Sequence, residues 1–269
     1  LILLNARITK KTYNRWIKTP LFAKNLFGKF DACYSASLQS KIYLKKLGAK
    51  KISNIGNLKF TQTKKNVANL DKKLKKNFQS RKVWCASSTH NPEEKICVIA
   101  HKLLKKKYKN LLTIIIPRHI NRVNDIMDEI KDKNLKVCLH TSKNRINKNT
   151  DIYLVNSYGE TKSFYKYCKV VFLGGSLIKH GGQNPIEPVL YGCKTLHGSN
   201  IWNFKEIYEF LHKLKMSQKI KGAREMAIEV DNTFNNKNNL QNIETKIKKI
   251  GNKTLSLMLS EVNLFINKK

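Results

Sequence analysis

The chain has 269 residues, 41% of them hydrophobic, and its 53 Lys and Arg against 18 Asp and Glu give a formal net charge of +35. A chain with this much apolar material can bury a sizeable core, which excludes a disordered polycation. The charge points first to nucleic acid, but only seven of the basic residues are arginine and the lysines are spread from end to end, which indicates diffuse charge rather than a recognition surface.

The apolar stretches of the sequence are short. None approaches the roughly 20 consecutive apolar residues that span a bilayer, so no transmembrane segment is predicted. The chain begins Leu-Ile-Leu-Leu-Asn-Ala-Arg, without an initiator Met or the regions of a signal peptide, and we interpret it as a piece whose beginning is missing. Its six cysteines form no Cys-x-x-Cys pair, which favours reduced, buried thiols in a cytosolic protein over a metal cluster.

Strands and helices alternate in the first 60 residues. Strands are predicted at 1–4, 32–37 and 51–55, and helical segments at 9–30, where Pro20 either starts a new helix or kinks the first, and at 38–47, before Gly48. Residues 61–80 contain six lysines and few apolar side chains, and we interpret them as a linker with room for one exposed helix.

The alternation restarts at residue 82 and is clearer there. The predicted strands are 82–86, 111–116, 135–140, 151–155, 170–173 and 194–196. The predicted helices are 92–108, 122–131, 162–168 and 185–191, followed from about residue 203 by a mostly helical tail rich in Lys and Asn. Short apolar strands that alternate with amphipathic helices predict an α/β fold with a parallel sheet covered on both faces.

In such a sheet, ligands bind outside the carboxyl ends of the strands, where helix N-termini present free N–H groups. The residues that directly follow each predicted strand are therefore the candidates for a site. After the strand at 82–86, Asn91, Pro92 and Glu94 fit a capping box, so we favour a structural role for Asn91 and Glu94. Ser88, Thr89 and His90 are less easily explained in this way.

The strand at 111–116 is followed by Pro117, which ends it, and then by Arg118 and His119, which are placed to meet an anion. Because arginine is rare in this chain, we favour a functional role for that pair. After the strand at 151–155, Gly159 lets backbone approach a ligand, and Glu160 can accept hydrogen bonds from ribose or amine groups. A Ser-x-x-Glu capping box at 157–160 explains that segment equally well.

The segment 174–188 is the richest of these junctions. Four of the 12 glycines fall within 174–182, and the loop leads into a helix capped by Asn184. Two Gly-Gly pairs before a helix N-terminus tolerate a phosphate, which predicts a nucleotide or sugar-nucleotide site, although Asn184 to Glu187 also fits a capping box. The loop is neither a Walker loop nor the Gly-x-Gly-x-x-Gly dinucleotide fingerprint.

In their order and spacing, seven segments of the chain closely resemble the bacterial 3-deoxy-manno-octulosonic acid (Kdo) transferases. They are Leu4–Thr9, Gly56–Phe60, Ala86–His90, Ile116–His119, Gly159–Glu160, Phe172–Ser176 and Gly181–Pro188. The resemblance extends from Leu1 to about Leu211.

The resemblance implies the GT-B glycosyltransferase architecture, in which two Rossmann-like domains face each other across a cleft and of which the N-terminal one is only partly present here. The implied domains are residues 1–60 as the end of the acceptor domain, 61–80 as a linker, and 81–269 as the CMP-Kdo-binding domain with its helical tail. The implied activity is inverting, metal-independent transfer of Kdo from CMP-Kdo to the lipid A precursor in lipopolysaccharide core biosynthesis, without a cofactor. The implied protein is a monomer at the cytoplasmic face of the inner membrane, in contact with anionic lipid and with no specific nucleic-acid partner.

The resemblance also implies roles for particular residues. The CMP-binding set is Pro117, Arg118, Tyr158, Gly159, Glu160, Asn184, Pro185, Ile186 and Glu187. Additional candidates at the same junctions are Ser88, Thr89, His90, His119, Gly174, Gly175 and Gly182. Lys59 of the Gly-Asn-Leu-Lys-Phe motif is implied to stabilise the transition state, because a lysine offsets the charge that grows on the departing CMP phosphate.

Two positions depart from the family pattern: Tyr158 stands where Met is common, and Gln183 where His is common. The general base of the family is a glutamate that is expected upstream of Leu1. We therefore expect the 269 residues alone to bind CMP without turning over.

Two other functions compete with this one. Another GT-B transferase, or an epimerase, would use a different sugar nucleotide, and titration with CMP against UDP separates it from a Kdo transferase. A nucleic-acid-binding protein would account for the charge, but such surfaces cluster arginine and aromatic residues, whereas here lysines occur in every predicted helix except that at 185–191.

Overall fold

The computed structural model describes residues 1–64, 70–141, 146–236 and 243–267. The strands are β1 (Ile2–Ala6), β2 (Ala32–Ser35), β3 (Ile52–Asn54), β4 (Lys82–Thr89), β5 (Leu111–Pro117), β6 (Val137–Leu139), β7 (Ile152–Leu154), β8 (Val170–Leu173), β9 (Lys194–His197) and β10 (Ser217–Lys219). The α-helices are α1 (Lys10–Trp16), α2 (Pro20–Gly28), α3 (Leu38–Lys46), α4 (Lys72–Gln79), α5 (Glu93–Lys105), α6 (Val123–Lys131), α7 (Thr161–Tyr165), α8 (Ile186–Leu190), α9 (Lys205–Lys213), α10 (Ala223–Asn235) and α11 (Ile243–Ile266). Two short 3-10 helices are Leu58–Thr61 and Ile120–Arg122.

These elements form two compact units, residues 1–63 with 242–269 (unit 1) and residues 64–241 (unit 2). In unit 1, β1, β2 and β3 pair in parallel in that order. Helices α1 and α3 begin at hydroxyl caps, because Thr9 accepts from the Thr12 N–H at 3.2 Å and Ser37 from the Ser40 N–H at 3.0 Å. One small core holds the unit together, made by Ala6, Ile8, Ala23, Phe27, Cys33, Leu44, Leu47 and Ala49.

The last helix, α11, packs within unit 1 against the 3-10 helix Leu58–Thr61. Gly251 makes this approach possible, because a Cβ built on it would lie 2.3 Å from the Phe60 carbonyl oxygen. The domain at 81–269 that the sequence predicts includes the whole tail, whereas α11 belongs to unit 1. Helix α11 buries apolar residues that include Ile247 and Met258. Their spacing in the sequence does not show in which unit they are buried.

Unit 2 contains a seven-stranded sheet in the order β10-β9-β8-β4-β5-β7-β6, with every adjacent pair parallel. Buried side chains cover both faces. One face packs against α5, α6 and α10, and the other against α4, α7 and α9. The predicted α/β class with parallel sheets is therefore confirmed.

Two local predictions were wrong, those for α4 and for the end of β4. Helix α4 is not simply exposed, because Leu74 and Phe78 are buried and the Phe78 ring lies 5.5 Å from that of Tyr153; residues 65–69 of the proposed linker lie outside the described residues. In the described residues the tail is mostly helical, as predicted, and it also contains one short strand, β10. Strand β4 continues through the polar residues to Thr89, beyond the predicted end at 86.

All six cysteines are buried and free of disulfide bonds. Across the described residues, no helix has the length and apolar content needed to cross a bilayer.

Candidate functional site

Most of the residues singled out from the sequence lie at one edge of unit 2, where β4, β5, β7 and β8 reach their carboxyl ends. The strand order places β4 beside both β5 and β8, whereas the chain runs from β4 to β5 and reaches β8 only later. Such a reversal opens a crevice at the carboxyl ends of the two strands and is where ligands bind in open α/β sheets. We call this region, the ends of β4, β5, β7 and β8 with the loops that follow, the carboxyl edge.

The glycine-rich loop after β8 is organised by a buried carboxylate, that of Glu93. The Glu93 side chain accepts hydrogen bonds from the backbone N–H groups of Gly175 (2.7 Å), Ser176 (3.1 Å) and Leu177 (3.0 Å). It also accepts from the His90 N–H at 3.0 Å. The loop was predicted to receive a phosphate through such donors, and in the structure the three loop N–H groups already bind an internal anion.

The absence of a side chain at Gly174 allows the glycine-rich loop to pack against the end of β4 and the Glu93 carboxylate. A Cβ built on Gly174 would lie 2.3 Å from the Ser88 carbonyl oxygen and 2.8 Å from a Glu93 carboxylate oxygen. Burial raises the pKa of the Glu93 carboxyl, while its four backbone hydrogen bonds favour the ionised form. Gly174 and Gly175 are thus required by close packing and by the turn of the chain, whatever ligand the edge binds.

The capping box predicted at Asn91 and Glu94 was wrong. Helix α5 begins at Glu93, with Pro92 before it and no side-chain cap. The Glu94 carboxylate instead forms a two-pronged ion pair with the Arg122 guanidinium, with contacts of 2.9 and 3.3 Å. The spacing of the sequence identified a carboxylate at this helix start, but the one that binds backbone is Glu93.

Pro117 is buried and ends β5, as predicted, and Arg118 and His119 follow it at the surface of the edge. The Arg118 N–H donates to the Thr89 carbonyl at 3.0 Å, which joins the ends of β4 and β5. The guanidinium of Arg118 lies close enough to His90 to lower the pKa of its imidazole. The structure therefore brings Ser88, Thr89, His90, Arg118 and His119 to one place.

The segment after β7 carries Tyr158, Gly159 and Glu160. Tyr158 is exposed, and a Cβ on Gly159, which has a φ of +90°, would meet no atom within 4 Å. The Glu160 carboxylate accepts from the Ser157 hydroxyl and lies 2.9 Å from Nε2 of His140. The capping-box alternative for Ser157 and Glu160 was wrong, because α7 has no side-chain cap.

The segment after the loop carries Asn184, Pro185, Ile186 and Glu187. The Asn184 side chain accepts from the Ile186 N–H at 3.2 Å, and the Glu187 carboxylate lies 3.3 Å from the Lys162 ammonium. Glu187 thus pairs across to the start of α7 instead of closing the predicted capping box. The ion pair brings this segment beside the one that carries Glu160.

Gly182 has a structural task. Its N–H donates to the Gly175 carbonyl at 2.8 Å and closes the loop.

Across the part of the chain that the structure describes, no group of three or more His, Cys, Asp or Glu side chains is arranged to hold a metal ion.

Lys59 lies in unit 1, in the 3-10 helix after β3. The Asn5 side chain at the end of β1 accepts from the Leu58 N–H at 3.2 Å, and the Asn57 side chain accepts from the Lys59 N–H at 2.9 Å. The ammonium is half-buried, and burial together with the nearby Arg7 charge lowers the pKa of Lys59. The backbone that presents Lys59 is therefore fixed by two asparagine side chains.

Three residues of the edge were missed by sequence reasoning: Glu93, His140 and His180. Glu93 carried a signal, since it follows a strand at a helix start, but its neighbour Glu94 fitted the capping spacing better. His180 lies in the glycine-rich stretch and was overlooked beside its glycines. His140 offered no local signal, because only the pairing of β6 with β7 brings it to Glu160.

The three-stranded and seven-stranded parallel units have the α/β fold of the GT-B glycosyltransferases. Solved structures that match nearly the whole chain at 10 to 13% identity include a trehalose-6-phosphate synthase and a UDP-N-acetylglucosamine 2-epimerase, a likeness that shows the fold alone. Residues 1–62 match the family model of 3-deoxy-D-manno-octulosonic-acid transferase (kdotransferase).

Relatives and one solved domain point to the same family. The 3-deoxy-D-manno-octulosonic acid transferase of Haemophilus influenzae is 30% identical over 214 residues, which are 78% of this chain and 50% of that protein. A bifunctional glycosyltransferase/methyltransferase of Fusobacterium nucleatum is 28% identical over 275 residues, 99% of this chain and 42% of that protein. The crystal structure of the C-terminal CMP-Kdo binding domain of WaaA from Acinetobacter baumannii is 25% identical with a TM-score of 0.59, and the match covers 64% of this chain and 90% of that domain.

The resemblance to the Kdo transferases that the motifs indicated is thereby confirmed. The chain spans half the length or less of these two relatives.

Proposed function

We propose that this chain is part of a Kdo transferase, which transfers Kdo from CMP-Kdo to the lipid A precursor with inversion and without a metal ion. The observation that carries the proposal is the location of the predicted donor-site segments. Those at 117–119, 158–160 and 184–187 all follow strands of unit 2 toward its carboxyl edge, and a domain described as binding CMP-Kdo matches 64% of this chain.

Unit 2 would then bind the donor. Arg118 offers a fork of N–H donors to the phosphate, and the carboxylates of Glu160 and Glu187 accept from ribose or cytosine amino groups. Pro117, Tyr158, Gly159, Asn184, Pro185 and Ile186 complete the surface for CMP. Since His140 and Lys162 hold the two carboxylates, both acceptors are fixed before the ligand arrives.

Unit 1 would supply the acceptor side and the charge on Lys59. As the glycosidic bond breaks, negative charge develops on the CMP phosphate, and a lysine held close to it lowers the barrier. Burial lowers the pKa of Lys59, and a nearby phosphate would favour its ammonium form, because an opposite charge stabilises the charged state. The absence of turnover by the 269 residues alone stays a prediction.

We also propose that unit 1 contacts an anionic membrane surface. Ile17, Leu21 and Phe22 are exposed, by 47%, 79% and 62%, and the first 30 residues contain seven basic and no acidic residues. We call these three side chains, with the lysines and arginine of α1 and α2, the α1–α2 surface. Apolar side chains surrounded by lysines fit the interface of a bilayer with anionic headgroups, which is also where a phosphorylated lipid acceptor resides.

Titration calorimetry tests the donor assignment. The chain should bind CMP at least tenfold more tightly than UMP or UDP, and Arg118→Ala should weaken CMP binding by roughly ten- to a hundredfold, the value of a charge-assisted hydrogen bond of about 1.5–3 kcal/mol. Arg224→Ala, at an exposed arginine of α10, is the matched control and should bind as the unaltered chain does. Tighter binding of UDP than of CMP would mean that the donor is another sugar nucleotide and not CMP-Kdo.

A further inference from the structure

Three histidines meet at the carboxyl edge. The ring of His90, after β4, lies with its centroid 4.4 Å from that of His180 in the glycine-rich loop and 5.7 Å from that of His119 after β5. We call His90, His119 and His180 the imidazole cluster. It lies where β4 and β8 adjoin, at the reversal of strand order described above.

The centre of the cluster contains polar atoms without protein partners. His90 is 9% exposed, and its Nε2 is buried with no hydrogen-bond partner among the described residues. The hydroxyl of Thr89, one residue earlier, is also buried with no hydrogen-bond partner among the described residues. Buried polar atoms in native proteins nearly always find a partner, so the unpartnered Nε2 of His90 indicates a missing hydrogen-bonding group.

The cluster is built into the fold. Glu93 fixes the backbone of His90 and of Gly175 through one carboxylate, and the Gly182 N–H closes the loop that carries His180 onto the Gly175 carbonyl. Gly175, at a φ of +65°, passes close beside the His180 ring: a Cβ there would lie 3.2 Å from Nδ1. The positions of the rings at 90 and 180 therefore follow from packed backbone.

The charges around His90 favour an anion. His119 and Arg118 face it from the end of β5, His180 from the loop, and Glu93 and Glu94 from the start of α5. Burial, with His180, His119 and Arg118, lowers the pKa of His90 to about 4, against the opposing effect of Glu94. The two carboxylates are already engaged, Glu93 by backbone N–H groups and Glu94 by Arg122.

We propose that the imidazole cluster, together with Arg118, binds an anionic oxygen group of the donor, either its phosphate or its sugar carboxylate, and that His90 takes up a proton from solvent as the anion binds. The inference rests on the proposed function, since it assigns the donor's anion to named side chains. A bound anion supplies the acceptor that a protonated Nε2 needs, and its charge offsets the burial and the neighbouring positive charges that favour the neutral ring.

Calorimetry with three probes tests the proposal on the full chain. Cytidine carries no anion, CMP adds the phosphate, and CMP-N-acetylneuraminic acid adds a carboxylate on the sugar. The last compound has no group that titrates between pH 5 and 8, so proton uptake can be counted from its binding heats in two buffers of different ionisation enthalpy. We expect uptake of between half and one proton, and binding about fivefold tighter at pH 6 than at pH 8.

Variants of the exposed histidines give the main readout, because His119→Asn and His180→Asn leave the core untouched. Each should weaken the anionic probes by about tenfold and leave cytidine unchanged. His90→Asn should do the same and abolish proton uptake. His212→Asn, at an exposed histidine of α9, is the matched control and should bind all three probes normally.

The pattern of losses identifies the anion. Equal losses for CMP and CMP-N-acetylneuraminic acid assign the cluster to the phosphate, and a loss confined to the latter assigns it to the carboxylate. Variants that weaken cytidine equally, or that leave all probes unchanged, overturn the proposal.

Inorganic sulfate separates this proposal from the proposed function. If the chain does not bind CMP, but sulfate shifts the NMR signals of the three rings, the donor assignment fails and the cluster stands. If CMP binds but no histidine variant affects it, the donor assignment stands and the cluster fails.

Discussion

The two units differ in how they use the same parallel α/β plan. Unit 2 covers both faces of a seven-stranded sheet with buried side chains, and its unusual polar residues gather at one edge. Unit 1 has a three-stranded sheet and one small core, and it leaves Leu21 and Phe22 exposed. This difference is consistent with the roles proposed above, donor binding by unit 2 and contact with an anionic lipid surface by unit 1.

The charge follows the same division. The 91 residues of unit 1 contain 19 basic and three acidic residues, whereas the 178 residues of unit 2 contain 34 and 15. The positive charge is spread over the whole chain, but basic residues outnumber acidic ones about sixfold in unit 1 and about twofold in unit 2. All seven histidines lie in unit 2. Each unit should therefore respond to a different perturbation.

The largest effect is expected at Gly174, where unit 2 allows no side chain. Gly174→Ala places a Cβ 2.3 Å from the Ser88 carbonyl oxygen, so the loop and the end of β4 must separate. We expect the free energy of unfolding of unit 2 to fall by about 3 kcal/mol. Urea unfolding with pulsed hydrogen exchange and mass spectrometry measures each unit by its own peptides. Gly222→Ala, where a Cβ meets nothing within 4 Å, is the control and should cost less than about 1 kcal/mol.

Gly251→Ala is the corresponding change in unit 1. Its Cβ would lie 2.3 Å from the Phe60 carbonyl oxygen, which pushes α11 away from the 3-10 helix that carries Lys59. Alanine recovers close to 1 kcal/mol of helix propensity, so the net loss should be about 2 kcal/mol and confined to peptides of unit 1. CMP affinity should stay unchanged. Equal losses of stability in both units would show that they do not unfold separately.

The elements that sequence reasoning located were those whose own residues carry the pattern. β8 was predicted at its observed ends, because Val170 to Leu173 is a continuous apolar run, and β2 and α3 were displaced by no more than two residues. The strand junctions then pointed to the carboxyl edge, since every parallel strand presents its end there.

The parts that sequence reasoning missed depend on neighbours distant in the chain. β10 has the polar sequence Ser-Gln-Lys and is a strand because it pairs with β9 at the edge of the sheet. Leu74 and Phe78 in α4 have helical spacing, but four surrounding lysines hid it. Glu93 could not be distinguished from Glu94 without the loop at 174–177 that approaches it.

Lipid binding through the α1–α2 surface should distinguish unit 1 from unit 2. Leu21→Ser with Phe22→Ser removes two exposed apolar side chains, each of which buries partly in a bilayer interface, so partitioning should fall by about 2 kcal/mol, or roughly thirtyfold. Sedimentation with vesicles that contain anionic phospholipid measures it, and vesicles of neutral phosphatidylcholine should bind weakly throughout. Leu264→Ser, at a 59% exposed position of α11, is the matched control. If only the control variant lost vesicle binding, the lipid contact would lie on α11 and not on the α1–α2 surface.

Mild acid should weaken unit 2 and leave unit 1 nearly unchanged. The pKa of His90 and that of His197 are both lowered to about 4, chiefly by burial. Between pH 4 and 6.5 the unfolded chain therefore binds more protons at these sites than the folded one, and stability is fully present above pH 6.5 and falls as the pH decreases.

From pH 7 to pH 5 each of these histidines should cost unit 2 about 1 to 2 kcal/mol of unfolding free energy. Urea unfolding at the two pH values, followed by pulsed exchange at one common pH, reports both units. His197→Gln should remove the share of the decline that His197 contributes, because a glutamine side chain does not titrate. A decline of equal size in unit 1, which contains no histidine, would mean that buried imidazoles are not its cause.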